Sequence, residues 1–231
     1  MQSTAYKDMA IIKRYVFAAM REGYIEINPF EDFKIKRSAG SFTYLTEDEL
    51  PVLIKFYKSG DMELPAYKTL QLFLYMCFSS QHVGDALLMQ AQAFEGDTFV
   101  YVRQKLRNSK PEPIYVPISE SLKSIVKDIL GHRKKGPLFE DMPTEQAMNR
   151  MLKQICSNEA VKIDKPISHK TGRHTFATLY YSKTKDLYGL KEIMGHSDIR
   201  ETLKYVHILE RDQRKNISVF DLFMSDPGTD E

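Results

Sequence analysis

The residues able to do chemistry crowd into one stretch of the chain, 168–207. It opens Ser168-His169-Lys170-Thr171-Gly172-Arg173-His174-Thr175-Phe176-Ala177-Thr178, continues Met194-Gly195-His196-Ser197-Asp198-Ile199, and closes with Thr202 and Tyr205. If residues 169–182 form a helix, Lys170 and Arg173 stand one turn apart on a shared face. There they can grip a single anion, and the planar Arg173 fork can hold two of its oxygens. His196 follows a glycine between two helical stretches, where a tight turn can present its ring outward. Tyr205 stands nine residues later on the next helix. His174 reads as structural, because a helical neighbour of Arg173 points about 100° away. His169 is compatible with simple helix-start chemistry.

These residues resemble the tyrosine recombinase (phage integrase) family. The family's second box, His/Lys-x-x-Arg-His-Thr-Phe-Ala-Thr, is similar to Lys170 through Thr178. Its third box, Leu-Gly-His-Ser with a tyrosine nine residues past the histidine, is similar to Met194-Gly195-His196-Ser197 with Tyr205. Two boxes at family spacing form a specific signal, whereas either alone is weak. The family also places a lysine on a β-hairpin, where this chain has Arg103-Gln104-Lys105. Residues 1–36, ending Ile27-Asn28-Pro29-Phe30, look like the last helix of the family's DNA-clamping domain. Most of that domain is absent, so the chain reads as a truncated or shortened member of mobile-element integrase type.

The resemblance implies a set of roles. Tyr205 would attack a scissile phosphate and form a 3′-phosphotyrosyl link. A phenol's ordinary pKa of about 10 requires activation by nearby positive charge or a base. Arg173, Lys170 and His196 would stabilise charge on the non-bridging oxygens, and Lys105 would protonate the departing 5′ oxygen. Arg103, Arg107, Lys110, Arg200 and Lys204 are the expected DNA-backbone contacts. The covalent link stores the bond energy, so neither ATP nor a metal is expected. In agreement, the sequence has no Gly-rich phosphate loop and no metal-ligand triad. Double-stranded DNA is the expected partner, with a homotetramer on paired sites and mostly monomer without DNA. An apolar final helix near Ile217–Phe223 is suited to docking on a neighbour.

One box departs from the family. Its first, Thr-Gly-Leu-Arg-x-Ser-Asp/Glu, falls where this chain reads Ser79-Ser80-Gln81-His82-Val83-Gly84-Asp85. Asp85 keeps the acidic position, but His82 stands where the first catalytic arginine belongs. His82 reads equally as a core histidine or as a partial substitute for that arginine. A catalytically impaired DNA-binding relative is therefore an alternative to an active recombinase. A type IB-like topoisomerase shares the tyrosine chemistry, and a metal-dependent nuclease is a more remote alternative.

The elements that must position these residues are mostly helices. Met9, Ile12, Val16 and Ala19 recur at helical spacing, with Gly23 as a stop. Lys36 to Ser41 has linker composition, which gives a remnant domain at 1–36, a linker at 37–42, a catalytic domain at 43–224 and a tail at 225–231. Thr46 and Glu49 form a capping-box pattern before a helix running to about Tyr57, and 66–80 is a more apolar, core helix. Residues 98–103 and 114–118 are β-branched and aromatic around a polar segment, a hairpin signal. Helices follow near 119–131, 144–157, 169–182, 187–194, 199–208 and 212–223. The expected fold is mainly α with a small antiparallel β-sheet, the arrangement the family resemblance also implies.

Composition sets the outer bounds. The chain has 231 residues, 42% hydrophobic and 28% charged, so a buried core is expected. Lys and Arg number 33 against 31 acids, which excludes a uniformly basic coat. Charge is instead local: residues 101–136 carry nine Lys/Arg against three acids, and residues 161–215 carry twelve against seven. Two basic segments in a near-neutral chain point to a side that faces a polyanion. Two cysteines are too few for a disulfide scaffold, and the start MQSTAYKDMA lacks a signal-peptide layout. The run Leu72–Phe78 is far short of the ~20 residues a spanning helix needs. A cytoplasmic protein is expected.

Overall fold

A computed structural model describes residues 2–33, 42–104 and 112–206. The expected final helix at 212–223, the tail at 225–231, most of the linker at 37–42, and Lys105, Arg107 and Lys110 lie outside the described residues. The chain divides into two units, Met1–Phe42 and Thr43–Glu231. The first holds one long helix, α1 (Gln2–Arg21), followed by turns. Lys13 Nζ donates to the Phe33 carbonyl at 2.6 Å, tying the turn segment back to the helix. Ile12 of the expected apolar stripe is exposed while Met9, Val16 and Ala19 are half-buried.

The second unit is built around α3 (Leu64–Ser79), apolar on every side and buried almost throughout from Thr69 to Cys77. A helix with no polar face must be enclosed. Here α2 (Glu49–Ser59), α5 (Glu120–Leu130), α6 (Glu145–Ser157) and α7 (His169–Thr184) surround it. Thr46 and Glu49 make the reciprocal cap expected of them: the Thr46 N–H donates to Glu49 Oε2 at 2.8 Å, and the Glu49 N–H to Thr46 Oγ1 at 3.3 Å. Ser119 and Thr144 cap α5 and α6 one way, their hydroxyls accepting the Leu122 and Ala147 N–H, and Ser168 with Thr171 forms a capping box on α7.

The hairpin consists of β1 (Thr98–Tyr101) and β2 (Ile114–Pro117), antiparallel, with Phe99 opposite Val116 and Tyr101 opposite Ile114. These four face the core, while Val100 and Tyr115 face solvent, the alternation of a sheet covered on one side. A short helix, α4 (Val83–Ala86), and a 3₁₀ turn at Ala91–Phe94 were not expected from the sequence. After α7 come α8 (Leu187–Met194) and a helix at 200–206, here α9. No helix among the described residues is long and apolar enough to cross a membrane.

Gly172 decides how closely α7 approaches α3. A Cβ there would lie 3.0 Å from Met76 Cβ and 3.1 Å from the Phe73 carbonyl oxygen. Backbone cannot yield as a side-chain tip does, so Gly172→Ala should force the helices apart and cost about 1–3 kcal/mol. Urea denaturation of the variant checks this; an unchanged midpoint would show that the crossing tolerates a methyl group.

Candidate active site

The close crossing of α3 and α7 carries Arg173 to the C-terminal end of α3. There the chain turns through Ser80, whose φ is +61°. Helix ends leave carbonyls without partners, and Arg173 satisfies those of two helices. Nη1 donates to the Ser80 carbonyl, and Nη2 donates to the Met194 carbonyl at the end of α8 at 2.7 Å. Ser80 Oγ also donates to the Ile193 carbonyl at 3.1 Å, joining the same two helix ends. Burial pulls the Arg173 pKa downward, partly opposed by the Tyr101 and Tyr205 phenols, but a guanidinium stays charged. The site therefore holds a buried cation whose hydrogen-bond acceptors are neutral.

Nη2 of Arg173 also faces His196 Nε2 at 3.1 Å, and His196 Nδ1 faces Thr202 Oγ1 at 2.8 Å. A guanidinium only donates, so Nε2 accepts and the ring proton sits on Nδ1, donated to Thr202. The turn that presents His196 depends on Gly195. Its φ is +60°, and a Cβ would fall 2.1 Å from Ile114 Cδ1 on β2. Burial, then the charges of Arg173, Lys204 and Arg103, lower the His196 pKa to about 3, and Glu201 Oε2 lies 3.9 Å from Nε2.

This has a consequence for stability. The unfolded ring regains its ordinary value of 6.5, so below that pH the unfolded chain binds a proton that the folded chain does not. Stability is full above 6.5 and falls as pH drops toward about 3, by up to about 1.4 kcal/mol per pH unit from this group. Melting temperatures taken from neutral to acid pH should fall, and less steeply in His196→Gln. Parallel curves would contradict it.

Tyr205, on α9, is fully buried, and its Oη lies 3.1 Å from His174 Nδ1. Lys204 Nζ sits 4.9 Å from the centre of the Tyr205 ring. Burial raises the phenol pKa, and Arg173 opposes that rise. Burial, followed by the charges of Lys204, Arg173 and Lys170, lowers the His174 pKa to about 4. His174 is thus a neutral base beside the phenol at neutral pH. Sequence reasoning missed it: the 100° separation from Arg173 holds, but the cleft wraps around α7, so both residues line it.

His82 occupies the position before α4 without a side-chain capping bond, and its Nε2 faces Arg103 Nη2 at 3.0 Å. Partial burial and the charges of Arg173 and Arg103 lower its pKa to about 3. Asp85 serves the hairpin: its Oδ1 accepts the Gln104 N–H at 2.8 Å.

One cleft of about 420 Å³ collects these groups. Its walls include His82, Arg103, Lys170, Arg173, His174, His196, Lys204 and Tyr205, with the carboxylates of Glu145 and Glu201. The structure therefore gathers Tyr205, Arg173, His196, Lys170, His82, Arg103 and Lys204. It leaves Arg200 outside the lining, paired with Asp198 at 2.5 Å. His169 is held by Asn149, whose Oδ1 lies 2.9 Å from its backbone N and 3.0 Å from its Nδ1. The described cations outnumber the carboxylates on these walls, so the cleft is electrostatically fitted to an anion.

A model of the phage integrase family matches residues 43–211, and the chain belongs to that family, the tyrosine recombinases. Among its relatives is the tyrosine recombinase XerC of Thermodesulfovibrio yellowstonii, 25% identical over 233 residues, which are 95% of this chain and 75% of that protein. The integrase of Escherichia phage P2 is 25% identical over 177 residues, 75% of this chain but 45% of the phage protein. In fold, the chain is similar to the Tn1549 transposon integrase in complex with circular intermediate DNA, with a TM-score of 0.70, 19% identity, and coverage of 88% of this chain and 74% of that one. It is also similar to XerH bound to palindromic difH in a post-cleavage complex, with a TM-score of 0.62, 20% identity, and coverage of 81% and 56%.

Proposed function

We propose that this chain is the catalytic part of a cytoplasmic, mobile-element site-specific recombinase that cuts and rejoins double-stranded DNA through a 3′-phosphotyrosyl intermediate. The observation that carries the reading is one cleft holding a tyrosine, a neutral imidazole on its oxygen, and the Arg173 guanidinium bonded to His196. Tyr205 Oη attacks the phosphorus while its proton passes to His174 Nδ1. The P–O5′ bond breaks as the 5′ oxygen takes a proton, the role the family resemblance gives to Lys105. Arg173 and Lys170 hold the non-bridging oxygens as charge grows on them, and His196 orients the Arg173 guanidinium through Nε2. Attack of another strand's 5′-hydroxyl on the phosphotyrosine reverses the chemistry and rejoins DNA.

In this reading Arg103, Arg107, Lys110, Arg200 and Lys204 meet the DNA backbone, so affinity falls steeply with salt. Two such duplexes are brought together by four copies, with monomers prevailing off DNA. Residues 1–36 are the end of a DNA-clamping domain, joined by the linker at 37–42 to the catalytic domain at 43–224. The test uses a pool of nicked duplexes with randomised centres, whose cut strand loses its leaving end and so traps the intermediate. A covalent protein–DNA band on a denaturing gel is expected. Strand cleavage without any covalent band would overturn the proposal.

A further inference from the structure

We propose that Arg103 is the second phosphate-holding guanidinium of this site, delivered from the hairpin in place of the arginine that position 82 lacks; this deepens the recombinase reading and rests on it. Arg103 lies two residues beyond the end of β1, and its backbone course is fixed by its neighbour: Asp85 holds the Gln104 N–H. From there the side chain reaches across to the opposite wall. Nη1 donates to the Gly195 carbonyl at 3.1 Å, beside His196, and Nη2 donates to His82 Nε2 at 3.0 Å. Its Nε is enclosed without a hydrogen-bond partner among the described residues. The guanidinium plane is therefore held at two points, while each terminal nitrogen keeps a second N–H.

The histidine at position 82 then has a different part to play. A neutral imidazole accepts one hydrogen bond and carries no charge, so His82 does not neutralise a phosphate by itself. It orients the cation that does, which makes His82 a positioning residue. Arg103 lines the same cleft as Arg173, Lys170 and Tyr205. Two guanidiniums in one anion site supply the fork geometry that a lysine or histidine lacks. In the step assisted, the Tyr205 Oη–P bond forms as the P–O5′ bond breaks. Arg103 transfers nothing and only offsets the negative charge that develops on the non-bridging oxygens.

The experiment compares single-turnover adduct formation on the nicked-duplex pool for the 231-residue chain and four variants, with melting temperatures recorded for each. Arg103→Ala should slow the adduct by about 10²–10³-fold while the non-covalent complex persists. Arg103→Lys, which keeps the charge but loses the fork, should fall between. The double variant His82→Arg/Arg103→Ala should recover most of the rate, because a guanidinium then enters the same space from the other wall. A merely structural role for Arg103 predicts no such recovery, since the Gly195 carbonyl stays unpartnered. Adduct at the parent rate in Arg103→Ala, or a folded double variant as slow as the single one, overturns the proposal and leaves the recombinase reading standing. An adduct that survives in Tyr205→Phe, or its absence from the parent chain, removes that reading and this proposal together.

Discussion

Arg173→Lys is expected to reduce phosphotyrosyl formation by at least about 10²–10³-fold, the usual cost of losing one preorganised oxyanion donor. The substitution keeps a positive charge but cannot keep the geometry. The guanidinium reaches the Ser80 carbonyl, the Met194 carbonyl and His196 Nε2 at once, and one ammonium group cannot span three acceptors so arranged. At least one buried carbonyl is left unpaired, which costs about 1–3 kcal/mol of stability. The loss should appear as a lower urea midpoint, and the rate comparison belongs at a temperature where both proteins are folded. Retention of the parent rate within about tenfold by the folded variant would show that the donor geometry of Arg173 is not what the reaction uses.

Tyr205→Phe should abolish the covalent intermediate outright and leave non-covalent DNA affinity nearly intact. The phenol oxygen is the only atom removed, and it contributes no cation to backbone contact. The ring is fully buried, so phenylalanine fills the same space, and losing the hydrogen bond with His174 costs about 1 kcal/mol. Gel retardation and denaturing gels on the same samples separate the two effects. A variant that binds DNA and still becomes covalently linked would move the nucleophile elsewhere.

The fold was legible where sequence pattern and physics coincide. The apolar run of α3, the alternation of the hairpin, and the Thr46–Glu49 cap each have one local solution. The short α4 and the 3₁₀ turn at Ala91–Phe94 were missed, because they are stabilised by burial of Val83, Ala86 and Ala91 in a core assembled from distant segments. In the site, the two boxes announced Arg173, His196 and Tyr205, whose spacing reflects one helix face and one turn. His174 was read as structural because a one-helix argument compares it with Arg173 alone, while Tyr205 arrives from another helix. Arg103 was read as a backbone contact because its bond to His82 joins positions that only the hairpin's packing against α4 brings together. Gly172 carried no chemistry of its own in the sequence, yet it sets the helix crossing, whereas the glycine before His196 was legible as its turn.

The most direct measurement is to digest the trapped protein–DNA adduct with protease and nuclease and to locate the remaining nucleotide by mass spectrometry. A 3′-nucleotide joined to the peptide containing Tyr205, through the phenol oxygen, is the result expected here. The same mass added to a serine, histidine or different tyrosine would contradict the account at its centre.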